Sequence, residues 1–176
     1  KQHVYIRFGK WREIIAQELP ADRELYCTTV ASIHYAKGVA HAALGEVAEA
    51  ERERELFLAA KAKVPESRRL HNNICTDLFA IAEAMLDGEI EYRKKNYDAA
   101  FAHLRRAVAL DDALPYDEPW GWIQPTRHAL GAALIAAGRY GDAARVYRGG
   151  LADYPGNGWS LAGLAGVSPA GAQDDQ

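Results

Sequence analysis

Histidines and carboxylates are the residues of this chain whose types could support metal binding or proton transfer. His34 and His41 lie seven residues apart, which is two turns along one face of a helix. Helical zinc sites usually take histidines four residues apart, and the sequence contains no such pair. His3, His71 and His128 could approach from other helices. A metal- or small-ligand-binding helical domain, with catalysis by histidines and carboxylates, is therefore an alternative function.

Two further combinations could act as acid–base pairs, Glu89 with Tyr92 and Asp117 with His128. Spacing alone does not bring either pair within hydrogen-bonding distance. The sequence also lacks a glycine-rich phosphate loop, a Gly-x-Ser-x-Gly nucleophile elbow and a His-Glu-x-x-His zinc motif. We therefore expect a non-catalytic protein that needs neither a metal nor another cofactor.

Composition and charge narrow the class of protein. The 176 residues are 49% hydrophobic and 26% charged, as in an ordinary globular protein, and a net charge of -3 provides no basic surface for nucleic acid or an anionic membrane. Cys27 and Cys75 are too few and too far apart for a disulfide scaffold or a Cys-x-x-Cys site. No apolar run approaches the roughly 20 residues of a membrane span, so we expect a cytoplasmic location. The chain begins at Lys1 inside an apparent helix, and we expect further sequence upstream.

The elements that must position the candidate residues are helices. Apolar residues recur with the helical period, and no segment alternates with the period of a strand, which predicts an all-α protein. The predicted helices cover about residues 2–8, 10–18, 22–44, 46–64, 72–95, 97–112, 124–137, 140–153 and 158–165.

The chain contains an internal repeat. The stretches LGEVAEAE (44–51), KKNYDAAF (94–101) and AGRYGDAARVY (137–147) each place an aromatic residue or valine after a turn and an alanine three residues later. Aligning these alanines also aligns three glycines of the preceding helices. The aligned residues are Ala50, Ala100 and Ala143, and Gly38, Gly88 and Gly131. A small residue at a helix crossing allows two helices to approach closely, so the pattern predicts packed helix pairs.

These repeats resemble the tetratricopeptide repeat family, in the irregular form of bacterial proteins of this type. The match is most complete over residues 124–157 and weaker over 81–114 and 31–64. In the best repeat it consists of Leu130, Gly131, Leu134, Gly138, Tyr140, Ala143, Tyr147 and Pro155. The resemblance implies a right-handed α-solenoid of antiparallel helix pairs. Gly45 and Gly138 also predict left-handed turns between the two helices of a pair.

We expect a single helical repeat domain over residues 1–166, followed by a disordered tail over 167–176. The repeats are expected at about 1–22 (partial), 31–64, 81–114, 124–157 and 158–166 (partial). Successive turns are 36, about 50 and 43 residues apart instead of a uniform 34, so residues are inserted between repeats, around 65–77 and 112–122. Insertions in repeat arrays often carry the binding specificity.

Both insertions are predicted to serve neighbouring helices. Asn72 or Asn73 is placed to cap the helix predicted from residue 72. The second insertion contains Trp120 and Trp122. One tryptophan is expected to seal the packing between repeats while the other borders a binding groove, or both seal the packing.

The family resemblance implies that the first helices of the repeats line a concave groove that binds a peptide segment or a partner protein. The expected function is a non-catalytic recognition or scaffold module, without a nucleic-acid or membrane partner. Tyrosine and tryptophan would provide stacking area, arginine would hold a carboxylate, and histidine would donate a hydrogen bond that depends on pH. The candidate binding residues are Tyr35, Tyr92, Arg93, Trp120, Arg127, His128, His3, Arg7 and His34. A structural role, with the terminal helices pairing two chains into a homodimer, is a third alternative.

Overall fold

The computed structural model describes residues 1–167 and confirms the expected all-α class. A short hairpin of two strands accompanies the helices. The helices of the described residues are α1 (Gln2–Arg7), α2 (Trp11–Ile15), α3 (Cys27–Ala43), α4 (Val47–Lys61), α5 (Cys75–Arg93), α6 (Tyr97–Asp112), α7 (Thr126–Ala136), α8 (Tyr140–Asp153) and α9 (Gly158–Val167), and the strands are β1 (Arg69–Leu70) and β2 (Asn73–Ile74).

Helices α3 and α5 begin at least three residues later than predicted. The hairpin of β1 and β2 precedes α5, which begins only at Cys75. Its strands are two residues long, too short to produce the alternating pattern by which a strand is recognised in a sequence. The helix α3 begins at Cys27 because Asp22 closes a separate turn, in which its Oδ1 accepts a hydrogen bond from the N–H of Leu25 at 2.9 Å.

The chain forms two compact units, Lys1–Ile123 and Gln124–Gln176, and the second is described as far as Val167. In the N-terminal unit, the helices pack as three consecutive pairs, α1 with α2, α3 with α4, and α5 with α6. Helix α3 also packs against both α1 and α5, so the first helices of the three pairs lie side by side. We call the side of the unit that these three helices form the first-helix face.

Small residues at the aligned repeat positions permit close helix packing in the N-terminal unit, as the sequence predicts. A Cβ on Gly88 of α5 would lie 2.7 Å from Cγ of Leu104 in α6, so this glycine faces the partner helix of its own pair. Gly38 of α3 faces α5 instead, where a Cβ would lie 2.9 Å from Cδ1 of Leu86. The same repeat position therefore serves packing within one pair and packing between two first helices.

The turns between paired helices share one geometry. Gly45 and Gly138 have φ angles of 81° and 74°, which confirms the predicted left-handed turns, and Lys95 has the same conformation with φ of 66°. In the first of these turns the N–H of Glu46 donates to the carbonyl of His41 at 2.9 Å, and the other two contain the equivalent hydrogen bond. The repeat thus continues through Lys95 without a glycine.

The C-terminal unit consists of α7, α8 and α9, each packed against the other two. The ring of Tyr147 in α8 lies between two glycines: a Cβ on Gly131 of α7 or on Gly163 of α9 would lie 2.4 Å or 2.3 Å from its Cζ. Helix α9 ends at Val167, which is buried, so this first residue of the predicted disordered tail is helical. The rest of that predicted tail, residues 168–176, lies outside the described residues.

Candidate functional site

The two insertions of the N-terminal unit contact each other. Residues 114–123, here called the proline–tryptophan segment, lie against the hairpin of β1 and β2. The carboxylate of Asp117 is buried, and its Oδ2 accepts hydrogen bonds from the backbone N–H of Asn72 at 3.2 Å and from Nδ2 of Asn73 at 3.0 Å. The side-chain amide of Asn72 donates to the carbonyl of Tyr116 at 3.0 Å. Neutral donors of one insertion therefore hold a carboxylate of the other.

The prediction that Asn72 or Asn73 caps α5 is wrong. The N-cap residue of α5 is Ile74, and no side chain caps the helix there. Asn72 lies in the turn of the hairpin and Asn73 begins β2, and both asparagines bond to the proline–tryptophan segment instead of to α5. Gly121 of the segment allows the close approach, because a Cβ there would lie 2.6 Å from Nδ2 of Asn73.

Trp122 brings the proline–tryptophan segment onto the first-helix face. Its ring centroid lies 4.6 Å from that of His3 in α1 and 5.6 Å from that of Tyr35 in α3, both in edge-to-face geometry. Tyr35 in turn contacts Phe57 with a centroid distance of 6.2 Å, so the ring contacts continue into the core. Trp122 is 6% exposed and is the tryptophan that seals the packing, whereas Trp120 is 36% exposed.

Burial sets the charge states of the residues around Trp122. Removal from water lowers the pKa of His3 from its usual 6.5 to about 4, so its imidazole is neutral at pH 7. Burial also raises the pKa of Tyr35 well above its usual range, and it lowers the pKa of the half-buried Arg7 in α1. At neutral pH, His3 and Tyr35 therefore present uncharged rings, and together they form an aromatic subsite.

Tyr92 and Arg93 lie at the end of α5. Tyr92 packs against Tyr97 and Phe101 of α6, with ring centroids 5.3 Å and 6.4 Å away, and burial raises its pKa. Arg93 is exposed and donates from Nε and Nη2 to Oε1 of Glu89, at 3.0 Å and 2.7 Å. Its guanidinium carbon lies 5.8 Å from the centre of the Tyr92 ring. This end of α5 thus combines an exposed cation with an aromatic ring.

His34 faces α4 instead of the first-helix face. Its Nδ1 lies 2.6 Å from Oε2 of Glu53, so it links α3 to α4. His41 makes a similar contact of 2.6 Å with Glu46. These contacts give each histidine of the suspected seven-residue pair a separate carboxylate partner.

Arg127 and His128 belong to the C-terminal unit. Nη1 of Arg127 lies 3.6 Å from Oδ2 of Asp153. His128 is 8% exposed, and its Nε2 lies 3.3 Å from Oγ of Ser160, which is 1% exposed. This contact joins α7 to α9 inside the unit. Because both residues are buried, it does not present a reactive serine to solvent.

Residues 1–167 contain neither a metal-binding cluster nor a helix that could span a membrane. Nowhere in this part of the chain do three or more His, Cys, Asp or Glu side chains come together as a group that could hold a metal ion. None of its helices combines the length and the apolar character needed to cross a bilayer. Cys27 and Cys75 are both buried as free thiols, and burial raises the pKa of Cys75.

No family model, curated protein or solved structure matches this chain. The resemblance to tetratricopeptide repeats therefore depends on the repeat residues themselves. The candidate site is defined by its geometry, which combines an aromatic subsite with a group of hydrogen-bond donors for a carboxylate.

The sequence prediction missed the donors of this site. Asn72 or Asn73 was expected to act as a helix cap, and Asp117 as one half of an acid–base pair. The available signal was the irregular repeat spacing, which marked both insertions as departures from the family pattern. Nothing in the local pattern indicated that residues 44 or 45 positions apart bond to each other.

Proposed function

We propose that the protein is a non-catalytic recognition module that binds an extended peptide segment of a partner protein on its first-helix face. In this proposal the N-terminal unit is a right-handed superhelix of the tetratricopeptide type. The observation that carries the proposal is the position of the proline–tryptophan segment. This segment is neither helix nor strand, and its Trp122 lies against His3 and Tyr35. A surface that accepts an irregular, non-helical stretch of its own chain provides the shape and the donors that a partner peptide needs.

The chemistry around the first-helix face favours a peptide with acidic and aromatic residues. His3 and Tyr35 are uncharged rings that would pack against an aromatic side chain. Asn72 and Asn73 donate hydrogen bonds to a carboxylate. Arg93 already donates to Glu89 from Nε and Nη2, and its exposed guanidinium would hold a second acidic group at the end of α5.

Selection of peptides tests this proposal. Random 12-residue peptides displayed on phage would be selected for binding to the immobilised protein. The affinities of synthetic copies would then be measured by fluorescence anisotropy. We expect Arg93→Ala to lower the affinity of the selected peptides by about tenfold, which corresponds to the loss of one charged hydrogen-bonding group.

The matched control is Arg106→Ala, which removes an exposed arginine from α6, a second helix of its pair. This variant should leave the affinities unchanged. Selected peptides that respond equally to both variants would contradict a peptide site on the first-helix face.

A further inference from the structure

The proline–tryptophan segment contacts the N-terminal unit through two side chains placed five residues apart. Asp117 binds the asparagine donors of the hairpin, and Trp122 occupies the aromatic subsite. Between them Glu118 and Trp120 are both exposed. Anchoring side chains with solvent-exposed residues between them are also how a peptide ligand binds a groove.

The fit of this segment is incomplete at two points. Asn73 is fully buried, yet among the described residues its Oδ1 has no hydrogen-bond donor. A buried acceptor without a donor costs free energy. Ile123, which directly follows the anchoring Trp122, has φ of 55°, a left-handed conformation that is strained for a β-branched residue. The bound segment therefore keeps strain and an unsatisfied acceptor that a better ligand would not have.

We propose that the proline–tryptophan segment is an internal ligand that covers the first-helix face, and that a partner peptide of like chemistry displaces it. The partner would carry an acidic residue followed five positions later by a tryptophan, in a non-helical stretch. This inference rests on the proposed function, because it names the chemistry of the partner and the state in which the face is closed.

The competition has a clear physical basis. The tether gives the segment a high effective concentration at the face, so it excludes weak ligands. A partner peptide would bind more tightly than the segment if it donated an N–H to Oδ1 of Asn73. It would gain further binding free energy by having no strained residue after its tryptophan. Removal of a contact that holds the segment in place should therefore allow a peptide added in solution to bind the first-helix face.

The test uses the variant Asp117→Ala in the full chain and a fluorescein-labelled peptide with the sequence LPYDEPWGWI, which is residues 114–123. Loss of the Asp117 hydrogen bonds weakens the internal ligand but leaves the receiving residues intact. Fluorescence anisotropy should show that the variant binds the peptide about tenfold or more tightly than the wild-type chain does.

Two controls separate this effect from a general loosening of the fold. The variant Glu118→Ala removes the neighbouring carboxylate, which is exposed and contacts Tyr116 of the same segment, and it should bind the peptide as weakly as wild type. Peptides with alanine in place of the residues equivalent to Asp117 or Trp122 should lose the affinity for Asp117→Ala. A folded Asp117→Ala protein that binds the peptide no more tightly than wild type would overturn the inference.

Hydrogen exchange in the wild-type chain provides a measurement that does not depend on a variant. Displacement requires the segment to open while the helices stay folded, so backbone amides of residues 114–123 should exchange much faster than those of α3 and α5. Exchange of the segment only at the rate of global unfolding would identify it as a permanent part of the core. That result would overturn the inference even where Asp117→Ala fails to fold.

The two proposals fail in different ways. Selected peptides that bind and depend on Arg93, but that do not compete with the LPYDEPWGWI peptide, would leave the recognition function intact and refute the internal ligand. Absence of any saturable peptide, for both wild type and Asp117→Ala, would refute the recognition function itself.

Discussion

The neutral imidazole of His3 makes the stability of the N-terminal unit depend on pH. The pKa of His3 is about 4 in the folded protein and near 6.5 in the unfolded chain. Between these values the unfolded chain binds more protons than the folded one, so acidification favours unfolding. The contribution of His3 is fully present above pH 6.5 and is lost as the pH falls through that window toward 4.

The variant His3→Phe tests this dependence, because phenylalanine keeps an aromatic ring against Trp122 and does not titrate. Between pH 7 and pH 4.5 the wild-type free energy of unfolding should fall by about 2 kcal/mol more than that of the variant. Urea titrations followed by circular dichroism at both pH values give this difference. All other titrating groups are common to the two proteins, so an equal fall in both would show that His3 is not buried in neutral form.

At the scale of elements, Tyr147 determines how closely the helices of the C-terminal unit pack. Its ring is confined on both sides, by Gly131 of α7 and by Gly163 of α9. A methyl group on either glycine would require the ring to move. The ring could not move toward the other helix, because it already lies close to the glycine there. The packing of three helices therefore depends on the absence of two side chains.

Gly131→Ala should accordingly destabilise the C-terminal unit by about 1–3 kcal/mol, since overpacking displaces a buried ring. The matched control is Gly141→Ala in α8, where a Cβ would have no neighbour within 4 Å. Alanine stabilises an open helical position by about 0.5–1 kcal/mol, so this control should hold or raise the melting temperature. Thermal unfolding followed by circular dichroism compares them, and equal losses would show that Tyr147 does not restrict the helix spacing.

Helices and turns could be predicted because their signals are local. The left-handed turns at Gly45 and Gly138 need only a glycine at the end of one apolar pattern and the start of the next. The turn at Lys95 has the same geometry without that signal. The hairpin before α5 lacked one as well, because each of its strands has only two residues. Close packing at the aligned glycines was expected, but the sequence did not predict that Tyr147 would lie between Gly131 and Gly163, or that Gly38 would pack against α5 and not within its own pair.

At the scale of the whole molecule, the site could be predicted only in part. Tyr35 was expected on the first-helix face, and it contacts Trp122 there. Trp122 covers Tyr35, and Asn72 and Asn73 hold Asp117. Both arrangements depend on contacts between residues that are far apart in the sequence. Such contacts are decided by the three-dimensional packing of both insertions, which no periodicity in the sequence encodes.

The central claim is that the first-helix face binds an extended peptide. Chemical-shift mapping tests it most directly, with the ¹⁵N-labelled 19.4 kDa protein and a phage-selected peptide. We predict shifts concentrated in α1, α3 and α5, together with a large change at the indole N–H of Trp122. Shifts confined to the second helices α4 and α6, or to the C-terminal unit, would contradict the claim.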